Sequence, residues 1–132
     1  MEKKNNNTTV VDISLLIEET FEYLTSIQVI IPNSEEVREY LHQYPDIIEL
    51  VKFACEETRS RFPSSTQLSL ELYYDPEFED EYLILYIRQE KYADDIMNIV
   101  DDIRDNINSA YEYEFTTRSG ELFVTTDFNF PR

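Results

Sequence analysis

The sequence predicts an α+β domain, with N-terminal helices followed by a β-hairpin, an amphipathic helix and a final strand, so that a sheet of about three strands packs on helices. Two patterns carry this. Apolar residues recur at helical spacing in stretches lying between positions 12 and 107, and they alternate at period two in stretches after position 67. The order of those patterns, helical first and then strand, strand, helix, strand, fixes the class and leaves strand order open.

Residues 1–9 are polar and Asn-rich, with no apolar period, and read as a disordered tail ahead of a single α+β domain over 10–132. From Asp12, the residues Ile13, Leu16, Ile17, Phe21 and Leu24 share one helical face, with Glu18, Glu19 and Glu22 mostly opposite. Ile27, Val29 and Ile31 alternate as a short strand would, and Pro32 stops it. Asn33, followed three residues later by Glu36, has the form of a capping box. Val37, Tyr40, Leu41 and Tyr44 then form an apolar stripe. Pro45 and Asp46 suit the first turn of a further helix, where proline loses no hydrogen bond and an acid meets the positive dipole end. Its buried face is Ile47, Ile48, Leu50, Val51, Ala54 and Cys55, and Phe53 lies off that face as a second contact.

Leu68, Leu70 and Leu72 alternate with Ser69, Glu71 and Tyr73, the pattern of a half-buried strand. Its hairpin partner is Tyr82–Arg88, across a long acidic loop from Asp75 to Glu81. The partner strand is apolar on both faces, which requires cover on both, the second face from the first helix or from a second copy in a homodimer. Ile96, Ile99, Val100, Ile103 and Ile107 define the amphipathic helix over 93–110. The final strand spans Glu121–Phe128, with Gly120, the single glycine, supplying the turn before it.

Composition narrows function by exclusion. The chain carries 28 Asp and Glu against 11 Lys and Arg, a net charge of −17, yet is 42% apolar and 14% aromatic with ten tyrosines. That is a core-bearing domain with a negative surface, unsuited to direct binding of nucleic acid or anionic membrane. The excess is concentrated: residues 71–114 hold 14 acids and three bases. With one cysteine, a polar start and no apolar run near the roughly 18 residues of a membrane span, the expected setting is the cytoplasm.

No catalytic constellation stands out, and no cofactor is expected. Asp75, Glu77, Glu79, Asp80 and Glu81 alternate as a calcium loop begins, but the sixth and twelfth positions are Asp80 and Tyr86 where glycine and glutamate are needed. Asp80 with Gln89-Glu90-Lys91 imitates a magnesium-dependent nuclease, the basis of an alternative reading as a metal-dependent hydrolase. His42 falls on the polar side of its helix and Cys55 on an apolar edge, so the first reads as exposed and the second as a buried thiol. Asp94, Asp95, Asp101, Asp102 and Asp105 form a negative ridge opposite the isoleucine stripe, which is an ordinary solvated face or, as a further alternative, a nucleic-acid mimic that inhibits a basic protein. The candidate interaction surface is therefore Asp75, Glu77, Glu79, Asp80, Glu81, Asp94, Asp101 and Asp105 with Tyr73 and Tyr92, because tyrosines among carboxylates suit a basic protein partner.

The runs Ser34-Glu-Glu-Val-Arg-Glu-Tyr-Leu, Tyr44-Pro-Asp-Ile-Ile-Glu-Leu, Leu68-Ser-Leu-Glu-Leu-Tyr-Tyr-Asp-Pro-Glu, Asp80-Glu-Tyr-Leu-Ile-Leu-Tyr-Ile-Arg-Gln and Leu122-Phe-Val-Thr-Thr-Asp-Phe follow one another between residues 33 and 130. Together they resemble a family of short uncharacterised bacterial proteins, some neighbours of toxin-antitoxin-type genes. The resemblance implies a bacterial cytoplasmic, antitoxin-like regulatory module that acts by protein–protein interaction, and it implies no catalytic residues.

Overall fold

The computed structural model describes the backbone of residues 2–115 and 120–132 and the side chains of residues 13–111 and 120–132. In order, the elements are α1 (Glu2–Ser26), β1 (Val29–Ile30), α2 (Ser34–Gln43), a 3-10 turn (Pro45–Ile47), α3 (Ile48–Arg61), β2 (Gln67–Asp75), β3 (Asp80–Arg88), α4 (Ile96–Phe115) and β4 (Leu122–Thr125). The α+β class stands as predicted. The sheet has four strands in the order β1-β2-β3-β4, β1 parallel to β2, β2 antiparallel to β3 and β3 parallel to β4. The fourth strand is the short pairing of Val29 and Ile30 with Leu68 and Ser69.

Burial follows the periodicities. Ile17, Phe21 and Leu24 of α1, Val37, Tyr40 and Leu41 of α2, Leu50, Val51, Ala54 and Cys55 of α3, and Ile96, Val100, Ile103 and Ile107 of α4 close on one face of the sheet. That face is built by Val29, Leu68, Leu70, Leu83, Leu85, Ile87 and Val124, which the strand register brings side by side. Leu16, expected in the core, is instead 36% exposed, and Thr20 is buried in its place. The stripe that meets α2 and α3 runs 17, 20, 21, 24, which rotates Leu16 outward. The helix is drawn back to Glu2, ahead of the start expected at Asp12 and through the segment read as a tail.

Four local expectations change. Asn33 caps α2 only through its backbone: at φ −111° and ψ 62° it lies outside the extended cap conformation, so Nδ2 donates to Glu36 Oε1 at 3.5 Å and no helix amide reaches its Oδ1. The hairpin loop is shorter than the segment Asp75–Glu81, because Asp75 and Asp80 are themselves paired across the ladder. Asp75 Oδ1 accepts the Glu77 amide at 3.0 Å, and Glu79 takes a left-handed φ of 50° to close the turn. The last strand stops at Thr125, short of Phe128, where a left-handed φ of 58° and the Phe128 amide donating to Thr126 Oγ1 at 3.0 Å turn the chain away.

Gly120 is not there for a left-handed turn, since no glycine has positive φ. It is buried where a Cβ would lie 2.8 Å from Tyr44 Cβ and 3.0 Å from Ile47 Cδ1. Close approach of the backbone to the 3-10 turn, rather than conformational freedom, demands glycine here. Beside it the Tyr40 hydroxyl accepts the Glu121 amide at 3.1 Å and donates to the Glu81 carbonyl at 3.3 Å, tying α2 to the start of β3 and to the residue before β4.

Candidate functional site

Strand parity divides the sheet into two faces. The residues that alternate with the core set point the other way: Ser69, Glu71 and Tyr73 of β2, Tyr82, Ile84, Tyr86 and Arg88 of β3, and Phe123 and Thr125 of β4, with Ile30 at the edge. None of the described helices packs on them, and the core cluster excludes them. The second face of β3 is thus covered by none of the described helices, and only its Arg88 end is closed, by Asp127 and the C-terminal residues. Ile84 is still only 7% exposed, because the rows Glu71–Ile84–Phe123 and Ser69–Tyr86–Thr125 shelter it with neighbouring side chains.

The centre of this open face is an aromatic ladder. The Tyr73 and Tyr82 rings lie 5.3 Å apart and the Tyr82 and Phe123 rings 5.0 Å apart, with Tyr73 41% and Phe123 46% exposed. On the same face the pair Asp75–Asp80 follows Tyr73–Tyr82 along the ladder, and Glu121, whose carbonyl accepts the Leu83 amide at 3.0 Å, enters β4 beside it. Burial raises the Tyr82 pKa, and the nearby acids add to the shift.

One end of the face holds Arg88, 1% exposed and satisfied entirely by its own chain. Its Nε and Nη2 donate to Asp127, the shorter bond at 2.8 Å, its Nη1 donates to Glu71 at 3.0 Å, and the guanidinium lies 4.4 Å over the Tyr86 ring. Desolvation works to lower the Arg88 pKa, and the hydrogen bonds to Asp127 and Glu71 outweigh it. The same hydrogen bonds from Arg88 hold Asp127 down to about 2, despite its partial burial. Arg132 reaches Asp127 at 3.9 Å, and its backbone exchanges two hydrogen bonds with the Gln67 side chain, which fastens the C-terminal residues across the end of β2.

The residues singled out from sequence do not form one surface. Tyr73, Asp75 and Asp80 stand on the open face, and Glu77 and Glu79 are exposed in the turn beside it. Glu81 is exposed but pairs with Tyr74, on the parity of the helix-covered face. Tyr92 is spent on structure: its hydroxyl donates to the Asn129 carbonyl and its ring packs 5.1 Å from Phe128. Asp101 and Asp105 are exposed on α4, and Asp94 just before it, all on the helical layer and not on the open face. The acids of α4 are in part neutralised within the chain, Asp101 by Arg104 at 3.3 Å and Asp102 by Arg61 at 2.8 Å. Sequence reasoning left out Ile84, Arg88, Phe123 and Asp127 as site residues; the signal was the second, outward alternation of the same strands, which becomes a surface only once the register is known.

The residues named for the catalytic alternatives stand apart. Asp80 opens β3 and Glu90 lies beyond its other end, about 30 Å away at the rise of a strand. Among the described residues no three His, Cys, Asp or Glu side chains converge as metal ligands would. His42 is exposed on α2, whereas Cys55 is fully buried and its thiol is pushed up to about 12 by desolvation, so the two do not make a nucleophile and base. A cleft of about 680 Å³ between α1, β1 and α2 contains Arg38, whose guanidinium is held by Glu18 and Glu35 at 2.7 Å each. At the β4 edge a smaller cleft of about 430 Å³ is lined by Leu50, Ile107 and Leu122, and Arg104 Nε there donates to the Val124 carbonyl at 2.8 Å, which blunts the free edge against strand addition.

No helix among the described residues is long and apolar enough to cross a membrane. Comparison with protein-family models, with curated proteins and with solved structures found nothing that matches this chain.

Proposed function

We propose that the chain is a non-enzymatic protein-binding module of the bacterial cytoplasm, antitoxin-like in that it engages and regulates a basic protein partner. The observation that carries this reading is the open sheet face: a contiguous aromatic surface rimmed by carboxylates, on a protein of net charge −17. Apolar area of that kind left without intramolecular cover marks an interaction site, and the charge selects a cationic partner and speeds its encounter. The hairpin turn extends the negative rim through Glu77 and Glu79.

The test is a partner captured from the native host and titrated by calorimetry against the wild type and the triple variant Glu77→Lys, Glu79→Lys, Asp80→Lys, each checked for fold by circular dichroism. Weaker binding by the variant, and a wild-type affinity that falls as salt rises, are expected, because exposed charges are screened beyond about 8 Å at physiological ionic strength. Unchanged affinity in a folded triple variant sinks the reading. Nucleic-acid mimicry by the α4 ridge predicts competition between this protein and DNA for the same partner. It is the weaker reading, because Asp101 and Asp102 are already paired with arginines of their own chain.

A further inference from the structure

We propose that the open sheet face is itself the docking site, and that its occupant is an arginine-presenting segment of the partner, whose guanidinium stacks on Tyr82 and Phe123 while pairing with Asp75, Asp80 and Glu121. The inference rests on the protein-binding reading above and adds to it the place and the chemistry of recognition.

The face carries the same arrangement twice. At one end Tyr86 with Glu71 and Asp127 holds a guanidinium, that of Arg88, by ring stacking at 4.4 Å and bidentate hydrogen bonding. At the other end the ladder sets Tyr82 beside the pair Asp75–Asp80, with Glu121 at the start of the neighbouring strand, its carbonyl bonded to the Leu83 amide, and among the described residues no cation pairs with these three acids or lies over the Tyr82 ring. Aromatic ring and carboxylates are therefore in place around a position that no arginine of the described chain fills. Arginine suits it better than lysine, because a planar, weakly hydrated guanidinium stacks on a ring and pairs with a carboxylate at once, whereas an ammonium is a compact and strongly hydrated charge.

Charge also opposes a second copy as occupant. A two-fold contact through this face would set Asp75, Asp80 and Glu121 of each chain against the same patch of the other, on molecules that each carry −17. A cationic segment removes that conflict and covers the exposed rings of Tyr73 and Phe123.

The experiment uses the full chain labelled with ¹⁵N and two probes, a nine-residue arginine peptide and a nine-residue lysine peptide, titrated at physiological salt. Expected are amide shifts centred on Tyr82, Ile84 and Phe123, with the arginine peptide binding about tenfold more tightly than the lysine peptide. Phe123→Ala, at an exposed position, and the pair Asp75→Asn, Asp80→Asn should each weaken the arginine peptide about tenfold, while Asp101→Asn, Asp105→Asn on α4 should leave it unchanged. Shifts confined to α4 or to the turn at Glu77–Glu79, with equal affinity for the two peptides, overturn this site but leave the broader reading to its own charge-reversal test. Absence of binding by either peptide overturns the inference as well. So does sedimentation that finds a concentration-dependent dimer abolished by Phe123→Ala, which would give the face to a second copy.

Discussion

Replacing Gly120 by alanine tests the packing of the backbone just before β4. The added methyl would sit 2.8 Å from Tyr44 Cβ, 3.0 Å from Ile47 Cδ1 and 3.2 Å from Ile47 Cγ2. Tyr44 Cβ is fixed by the backbone and cannot swing away, so the chain itself must yield. Such overpacking costs about 1–3 kcal/mol. Since the residue's φ is not positive, alanine also narrows the unfolded ensemble and returns about 0.4–1 kcal/mol. Because Tyr44 Cβ cannot give way, the cost falls in the upper half of that range, and the net expectation is a loss of about 1–2.5 kcal/mol, or about 4–9 °C in Tm for a domain of this size. Urea unfolding followed by circular dichroism should give a lower midpoint at unchanged m. In an Ile47→Val background, which removes the Cδ1 contact, the same substitution should cost less by about 0.5 kcal/mol. A Gly120→Ala protein as stable as the parent would refute the close-approach argument and return the residue to a purely conformational role.

Three further expectations follow from the structure. Asp127 has its folded pKa depressed from 3.8 to about 2, so its stabilising contribution is complete above its unfolded pKa and is lost as pH falls from about 4 towards 2. The shift corresponds to at most about 2.5 kcal/mol, and an acid titration of stability in which Asp127→Asn keeps the full wild-type slope through that window would contradict it. Glu79 holds a φ of 50°, strained for a residue with a long side chain, so Glu79→Asn should gain up to about 1 kcal/mol, and a fall in the urea midpoint would argue against the left-handed turn. Cys55 is fully buried with its thiol raised to about 12, so a thiol reagent at pH 8 should label it only in denaturant; rapid labelling of the native protein would place the residue outside the core.

Much of the architecture was legible because it is written in short-range periodicity. The stripes of α2, α3 and α4, the alternation of β2, the burial of Cys55 and the doubly apolar character of β3 all follow from the spacing of residues within one element. Those spacings could not say that Asn33 would leave its cap bond unmade, that Asp75 and Asp80 would join the ladder, or that Gly120 would meet the 3-10 turn, because each depends on the backbone of another segment. The candidate site was legible in part: Tyr73, Asp75 and Asp80 belong to it, whereas Tyr92 fastens the C-terminal residues and Asp94, Asp101 and Asp105 lie on the helical layer.

By itself the sequence determined the class, the helix and strand patterns and the negative charge, all properties of residues close in the chain. Only the tertiary structure decided that the described helices gather on one side of the sheet, leaving Tyr82, Ile84 and Phe123 on the other, and that Arg88 would find Glu71 and Asp127 there. The physical reason is that a strand's alternation gives it two faces without naming which is covered; that choice is made by the side on which distant segments cross, and it is the choice that leaves one face of the sheet without a helix.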